Sequence, residues 1–206
     1  MDNDATLRAL DTVPLERVQF TVVDLETTGG APPEHKITEI AAYRIENLEI
    51  GAEFVTLVDP ERSIPPFITG LTGINSEMVN GRSPSRDVLP ELLEFLGDSV
   101  FVAHHSEFDR RFLDNELKLA QLPQVHNMDL CTSRLARRIL PWLPSKSLGN
   151  LAAFLGIEIS HRHRAAADAL ATAKLLLILL DYLQERGLTT LEEVLLFQFG
   201  EHDYQR

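Results

Sequence analysis

Residues 19–30 read QFTVVDLETTGG. The run is rich in β-branched and aromatic residues and closes on Gly29-Gly30, a pattern that predicts a central strand with its exit turn. Asp24 and Glu26 stand two apart within it, and the strand period of two sets both carboxylates on one face of the sheet. Two like charges at the end of an apolar strand repel and lose hydration, which costs free energy without compensation. A divalent cation is the simplest compensation, since hard cations take carboxylate oxygens. Taken alone, the motif also fits a strand end whose acids stand in solvent.

Outward from this strand, ITEIAAYRIEN (37–47) and EIGAEFVTLVDP (49–60) predict two more strands, the second stopped by Pro60. Their short connections favour antiparallel neighbours. SIPPFITGLTGINSEMV (63–79) reads as a loop carrying a short helical turn. From Pro84 the spacing becomes helical, with Val88, Leu89, Leu92, Leu93, Phe95 and Leu96 on one face and Gly97 at its end. SVFVAHH (99–105) predicts a short strand, and Ser106 is placed to cap a helix that buries Phe108, Phe112, Leu113 and Leu117. VHNMDL (125–130) predicts a last strand, and Leu130–Leu140 and Leu148–Leu155 two helices. A long helix is expected over 165–186, ended by Gly187, and a short one within 188–199. A three-strand meander followed by alternating helices and strands makes an α/β domain with one mixed sheet. The expected organisation is a leader at 1–17, one domain over 18–186, and a C-terminal short helix and tail at 187–206.

The 206 residues are 44% hydrophobic and 24% charged, an ordinary balance for one globular domain. The longest apolar run, LLLILL (175–180), is far short of the roughly 20 residues of a membrane span. Cys131 is the sole cysteine, which excludes an intrachain disulfide and a multi-cysteine zinc site. A soluble, cytoplasmic protein is the expectation. Nineteen basic and thirty-one acidic residues give a net charge of −12, which argues against a protein that coats nucleic acid nonspecifically. The average hides an asymmetry: the segment 131–164 carries six bases (Arg134, Arg137, Arg138, Lys146, Arg162 and Arg164) against Glu158 alone. Such a run reads either as a solvated face or as a place where phosphates are met.

Two further elements carry acids at their ends. In VFVAHHSEFDRRFL (100–113), Asp109 falls in the first turn of a helix, about 100° from the buried Phe108. An acid there is also favoured by the helix dipole alone. In HRHRAAADALATAKLL (161–176), His163 and Asp168 inside one helix would stand roughly 140° apart. A shared site therefore requires His163 in the preceding loop, while the alanines around Asp168 allow close approach to the sheet. Asp24, Glu26, Asp109 and Asp168, with no good Cys/His set, favour magnesium or manganese over zinc. Two such ions about 4 Å apart activate a water and stabilise a leaving oxygen, the usual arrangement for phosphodiester cleavage. A histidine of ordinary pKa about 6.5 can take the proton of that water. Cys131 has apolar neighbours and reads as a buried thiol, and the double glycine lacks dinucleotide-binding spacing.

DLETTG (24–29), HHSEFD (104–109) and HRAAAD (163–168) resemble the three motifs of the DEDD superfamily of 3′–5′ exonucleases. The histidine is that of the branch containing the proofreading epsilon subunit of bacterial DNA polymerase III. The resemblance runs from about Gln19 to Tyr182 and includes LTGI (71–74) and LGNLAAFLGI (148–157). It implies a ribonuclease H-like fold, a mixed five-stranded sheet flanked by helices with its second strand antiparallel to the rest. It implies a metal-dependent 3′–5′ exonuclease that releases nucleoside monophosphates from the single-stranded 3′ end of DNA. Asp24, Glu26 and Asp168 are then ligands of a first Mg²⁺ or Mn²⁺, Asp24 is shared with a second, Asp109 acts largely through water, and His163 is the general base. Leu25, Thr27, Thr28 and Phe108 are expected to hold the terminal nucleotide. One position departs from the pattern: many relatives have His-Asn where this chain has His104-His105, so His105 is expected to replace an asparagine at the substrate. Relatives with the same motifs degrade RNA, and association with polymerase subunits, through the C-terminal helix, is a further implied role.

Overall fold

The computed structural model describes residues 13–160 and 162–200. Residues 1–12 of the expected leader and 201–206 of the expected tail lie outside them. The strands are β1 (Phe20–Thr27), β2 (Ile37–Glu46), β3 (Glu49–Leu57), β4 (Val100–Ala103) and β5 (Asp129–Cys131). The helices are α1 (Pro66–Thr72), α2 (Ser76–Val79), α3 (Ser85–Leu96), α4 (Ser106–Leu119), α5 (Thr132–Ile139), α6 (Leu148–Leu155), α7 (Ala165–Gln184) and α8 (Leu191–Phe199). The sheet order is β3-β2-β1-β4-β5. β2 is antiparallel to both β1 and β3, while β4 and β5 run parallel to β1. This is the mixed five-stranded sheet expected of the ribonuclease H-like fold. Among the described residues no helix is long and apolar enough to cross a membrane.

The alternation along β1 divides the core in two. Phe20 and Val22 pack with Leu135, Leu151, Ala169 and Leu176 on the side of α5, α6 and α7. Val23 and Leu25 pack with Leu89, Leu92, Phe112 and Leu113 on the side of α3 and α4. Burying both faces explains why β1 reads as an almost unbroken apolar run. Because Asp24 and Glu26 continue the Phe20–Val22 face, the fold directs them toward α7.

Three local readings differ from the structure. The expected loop at 63–79 holds two short helices, α1 ended by left-handed Gly73 and α2 capped by the Asn75 carboxamide, which accepts from the Met78 N–H at 3.0 Å. The last strand forms at Asp129–Cys131 rather than within 125–130, where it pairs with Phe101–Ala103. Upstream of it the Arg110 guanidinium takes the carbonyls of Val125 (2.6 Å) and Asn127 (3.4 Å), so that stretch is held by a side chain instead of a ladder. Helix α5 accordingly begins at Thr132, after Leu130 and Cys131 are spent in the sheet.

At the N-terminal side, Leu15 is fully buried and its N–H bonds the Thr189 carbonyl at 2.9 Å. At the free edge of β5, the buried Gln198 of α8 accepts the Cys131 N–H at 3.0 Å and donates to the Asp129 carbonyl at 2.9 Å. One carboxamide thus stands in for a sixth strand. Truncating it strands two polar backbone groups, so Gln198→Ala is expected to lower the unfolding free energy by about 2 kcal/mol. Urea denaturation checks this, and a loss under about 0.5 kcal/mol contradicts the edge-pairing role.

Candidate active site

β1 extends beyond its partner β4, whose parallel pairing ends at Val22–Val102. The Leu25 N–H, left without a strand partner on that side, donates to Asp109 Oδ1 at 3.2 Å. The first turn of α4 therefore completes the ladder of β1 with a carboxylate. Asp109 is 4% exposed, well inside the margin its helical position suggested. Burial raises its pKa despite the opposing N–H donors, and Glu26 and Asp129 add to the rise.

Helix α7 supplies the opposite wall. It starts at Ala165, so His163 lies in the preceding turn, as a site shared with Asp168 demands. His163 has φ +63°, and its N–H donates to Asp168 Oδ2 at 3.1 Å. That bond folds the loop back so that both side chains face β1. Ligand atoms of Glu26, His163 and Asp168 all lie within 4.8 Å of one another. Ala165 and Ala169, both fully buried, let the helix approach the sheet at this point.

The acids of this pocket are held under repulsion. Asp24 has its pKa raised well above the carboxylate range by burial, then by the charges of Asp109, Glu26, Asp168 and Glu39. Glu26 is pushed up to about 8 by burial and by Asp168 and Glu39, with Arg164 opposing. Asp168 is also raised, chiefly by burial. Its Oδ1 is buried and accepts no hydrogen bond among the described residues. A carboxylate oxygen left so, beside two other acids and an imidazole, fits a hard divalent cation such as Mg²⁺ or Mn²⁺.

Residues 21–176 match the model of the exonuclease family. The epsilon subunit of DNA polymerase III from Aquifex aeolicus is 37% identical over 185 residues, covering 90% of this chain and 86% of that one. This chain belongs to the exonuclease family. It is a DEDDh member related to the epsilon subunit. Exonuclease X, solved in complex with 5′ overhanging duplex DNA, superposes with a TM-score of 0.69 at 29% identity over 85% of this chain and 97% of its own. Other relatives are much longer. A Mycobacterium tuberculosis protein 42% identical over 193 residues is spanned over 30% of its length. The PolC-type DNA polymerase III of Caldanaerobacter subterraneus, 39% identical over 176 residues, is spanned over 12%.

A fifth carboxylate in this exonuclease was not singled out by its sequence. Glu39 of β2 lies directly across from Glu26 and is 1% exposed. It accepts from Arg164 Nη2 at 2.6 Å, from Arg164 Nε at 3.1 Å and from the Ala165 N–H at 2.8 Å. It thereby caps α7 and ties the turn carrying His163 to the sheet. Glu39 is the buried member of this pair, while the Arg164 side chain keeps 37% of its surface exposed. The signal was present as Glu39 in a strand with Arg164 beside the motif, but 125 residues separate them.

The two histidines of HHSEFD divide their roles. His104 Nε2 lies 2.8 Å from the Lys146 carbonyl and Nδ1 2.9 Å from the Thr132 hydroxyl, so Nε2 carries the donated proton. Burial and the neighbouring His105 hold its pKa down at about 4. It braces the 142–147 loop. His105 is exposed and adopts φ +74° ahead of α4. Asparagine and histidine both enter this left-handed region readily, so the exchange at this position needs no change of backbone. Of the expected nucleotide contacts, Leu25 is 5% exposed and Phe108 is half-buried with its ring 5.0 Å from Phe112. The Thr27 and Thr28 hydroxyls are occupied by the exit loop, on the Gly29 carbonyl (2.6 Å) and the Lys36 N–H (3.0 Å) respectively.

The raised Glu26 carboxyl has a consequence for stability. In the metal-free fold it keeps a proton that the unfolded chain releases near pH 4.5. Stability therefore falls as pH rises from about 4.5 to about 8, by on the order of 5 kcal/mol from this group. Divalent cations, which bind the deprotonated acids, restore it most at the alkaline end. Melting curves in chelator and in Mn²⁺ check this: Tm in chelator drops between pH 6 and 8, and the rise on adding metal is larger at pH 8. The opposite order contradicts the arrangement.

Proposed function

We propose that this exonuclease cleaves phosphodiester bonds at the single-stranded 3′ end of DNA and releases nucleoside monophosphates, using two divalent cations. The observation that carries the reading is the meeting of Asp24, Glu26 and Asp168 with His163 at the end of β1, where Asp168 Oδ1 has no protein donor among the described residues. Asp24, Glu26 and Asp168 would hold one Mg²⁺ or Mn²⁺, and Asp24, with Asp109 acting largely through water, a second. Bound there, such cations supply charge neutralisation at the phosphate and a more acidic water. His163 takes the proton of the attacking water on an imidazole nitrogen, and the loop geometry set by its own N–H on Asp168 aims the ring. Leu25 and Phe108 flank the terminal base, while Thr27 and Thr28 act by fixing the loop behind it. His105 stands where it can meet the same nucleotide.

Relatives named for DNA polymerase III support a DNA substrate and a place beside a polymerase, and Exonuclease X, at 29% identity, was solved with DNA. The single, buried Cys131 suits a cytoplasmic setting.

The test is digestion of 5′-labelled single-stranded DNA in Mg²⁺ beside a 3′-phosphate-blocked control and a matched RNA. The wild type should shorten the free-ended DNA stepwise, leave the blocked strand intact and act more slowly on RNA. Asp24→Asn should lower the rate at least about a hundredfold. Its metal-free Tm should not fall, because a neutral carboxamide of the same shape replaces a carboxyl whose ionisation this pocket opposes. Equal cutting of blocked ends, or an unimpaired Asp24→Asn enzyme, defeats the proposal.

A further inference from the structure

Beside the metal pocket, a second cleft of about 270 Å³ opens between the first turns of α4 and α5. Its lining includes His105, Phe108, Arg111, Ser133, Arg134 and Arg137. The arginines of this region differ in how they are used. Arg110 serves the Val125 and Asn127 carbonyls and lies over Phe101, and Arg138 lies over Phe197. Arg134 pairs with Glu107 and stacks on Phe199. Arg111 and Arg137 are exposed and make no hydrogen bond or ion pair among the described residues. Two uncompensated cations thus share one cleft on a chain of net charge −12. Ser133 adds an independent sign of a missing ligand: it lines the cleft, is 1% exposed, and its hydroxyl has no partner among the described residues.

The cleft also joins the reaction site. Phe108 lines it, and the next residue, Asp109, bonds the end of β1. A strand whose last nucleotide sits at Asp24 and Glu26 must leave across a wall of that pocket. A polyanion leaves with least repulsion where unpaired cations face it.

We propose that this cleft binds the backbone phosphates of the substrate strand that lie upstream, on the 5′ side, of the scissile phosphate, with Arg111 and Arg137 as the cationic contacts and the Ser133 hydroxyl as a donor. The assignment rests on the exonuclease reading above and names the path of its substrate. It makes the chain a reader of a short single-stranded tail rather than of the terminal nucleotide alone.

The test compares the wild-type chain with Arg111→Ala/Arg137→Ala and with Arg111→Lys/Arg137→Lys on a DNA trimer and a dodecamer in Mg²⁺. For the alanine variant the ratio of kcat/KM for dodecamer over trimer should fall about tenfold. The slope of log kcat/KM against log salt should become shallower by about 1.4, since each phosphate neutralised on a single strand accounts for about 0.7 of it. The lysine variant, which keeps the charges, should retain the slope. An unchanged ratio and slope in the alanine variant overturns the proposal and leaves the arginines to solvent or another acidic partner. Fluorescence anisotropy of the labelled dodecamer in Ca²⁺ separates the two readings. Wild-type binding without cutting in Mg²⁺ contradicts the nuclease activity alone, whereas equal affinity of wild type and alanine variant contradicts the cleft.

Discussion

Mutual repulsion of carboxylates at the end of β1 is the constraint around which the rest of the chain is arranged. Asp24 and Glu26 cannot turn away from each other, because a strand gives residues two apart one common face. They are only partly open to water, because α7 packs against that face with alanines. Asp109 cannot leave, since its carboxylate serves the Leu25 N–H where β4 has ended. The backbone thus holds charges where side-chain electrostatics alone would scatter them. The pKa values of Asp24, Glu26 and Asp109, raised first by burial and then by neighbouring acids, are the record of that conflict, while Asp168 is raised by burial.

Compensation is divided between the protein and what the pocket is built to receive. Glu39 is the acid the protein neutralises by itself, with a two-toothed grip from Arg164 and the N-terminus of α7. That pairing fixes the helix whose first turn presents Asp168. Among the described residues Asp24, Glu26, Asp109 and Asp168 make no ion pair with an arginine or lysine, and a divalent ion is the partner their hard oxygens suit. A chain this acidic can still act on a polyanion because its unpaired cations are local. The basic 131–164 segment puts α5 and its arginines beside the metal pocket instead of spreading charge over the surface.

The individual strands, their mixed sheet and the three acidic motifs were legible in the sequence because each depends on short-range periodicity, whereas the order β3-β2-β1-β4-β5 was not. Asp24 and Glu26 announce their common face by spacing alone, and His163 with Asp168 announce a loop–helix junction by their incompatibility inside one helix. Features built from distant pairs were not legible. Glu39 looks like one more polar residue in a half-periodic strand until Arg164 is folded over it. Gln198 reads as an ordinary helical residue until it closes the edge of β5. The start of β5 was misplaced because Arg110, fifteen residues away from Val125, takes over the work of a ladder. Two adjacent histidines look equivalent in one dimension, yet one braces a loop and the other stands open to the cleft.

Anomalous scattering from crystals soaked in Mn²⁺ with a nucleoside monophosphate tests the central claim most directly. A peak should lie among the carboxylates of Asp24, Glu26 and Asp168, next to the His163 ring. A well-ordered crystal with no manganese there, or with manganese bound only elsewhere on the chain, contradicts the account.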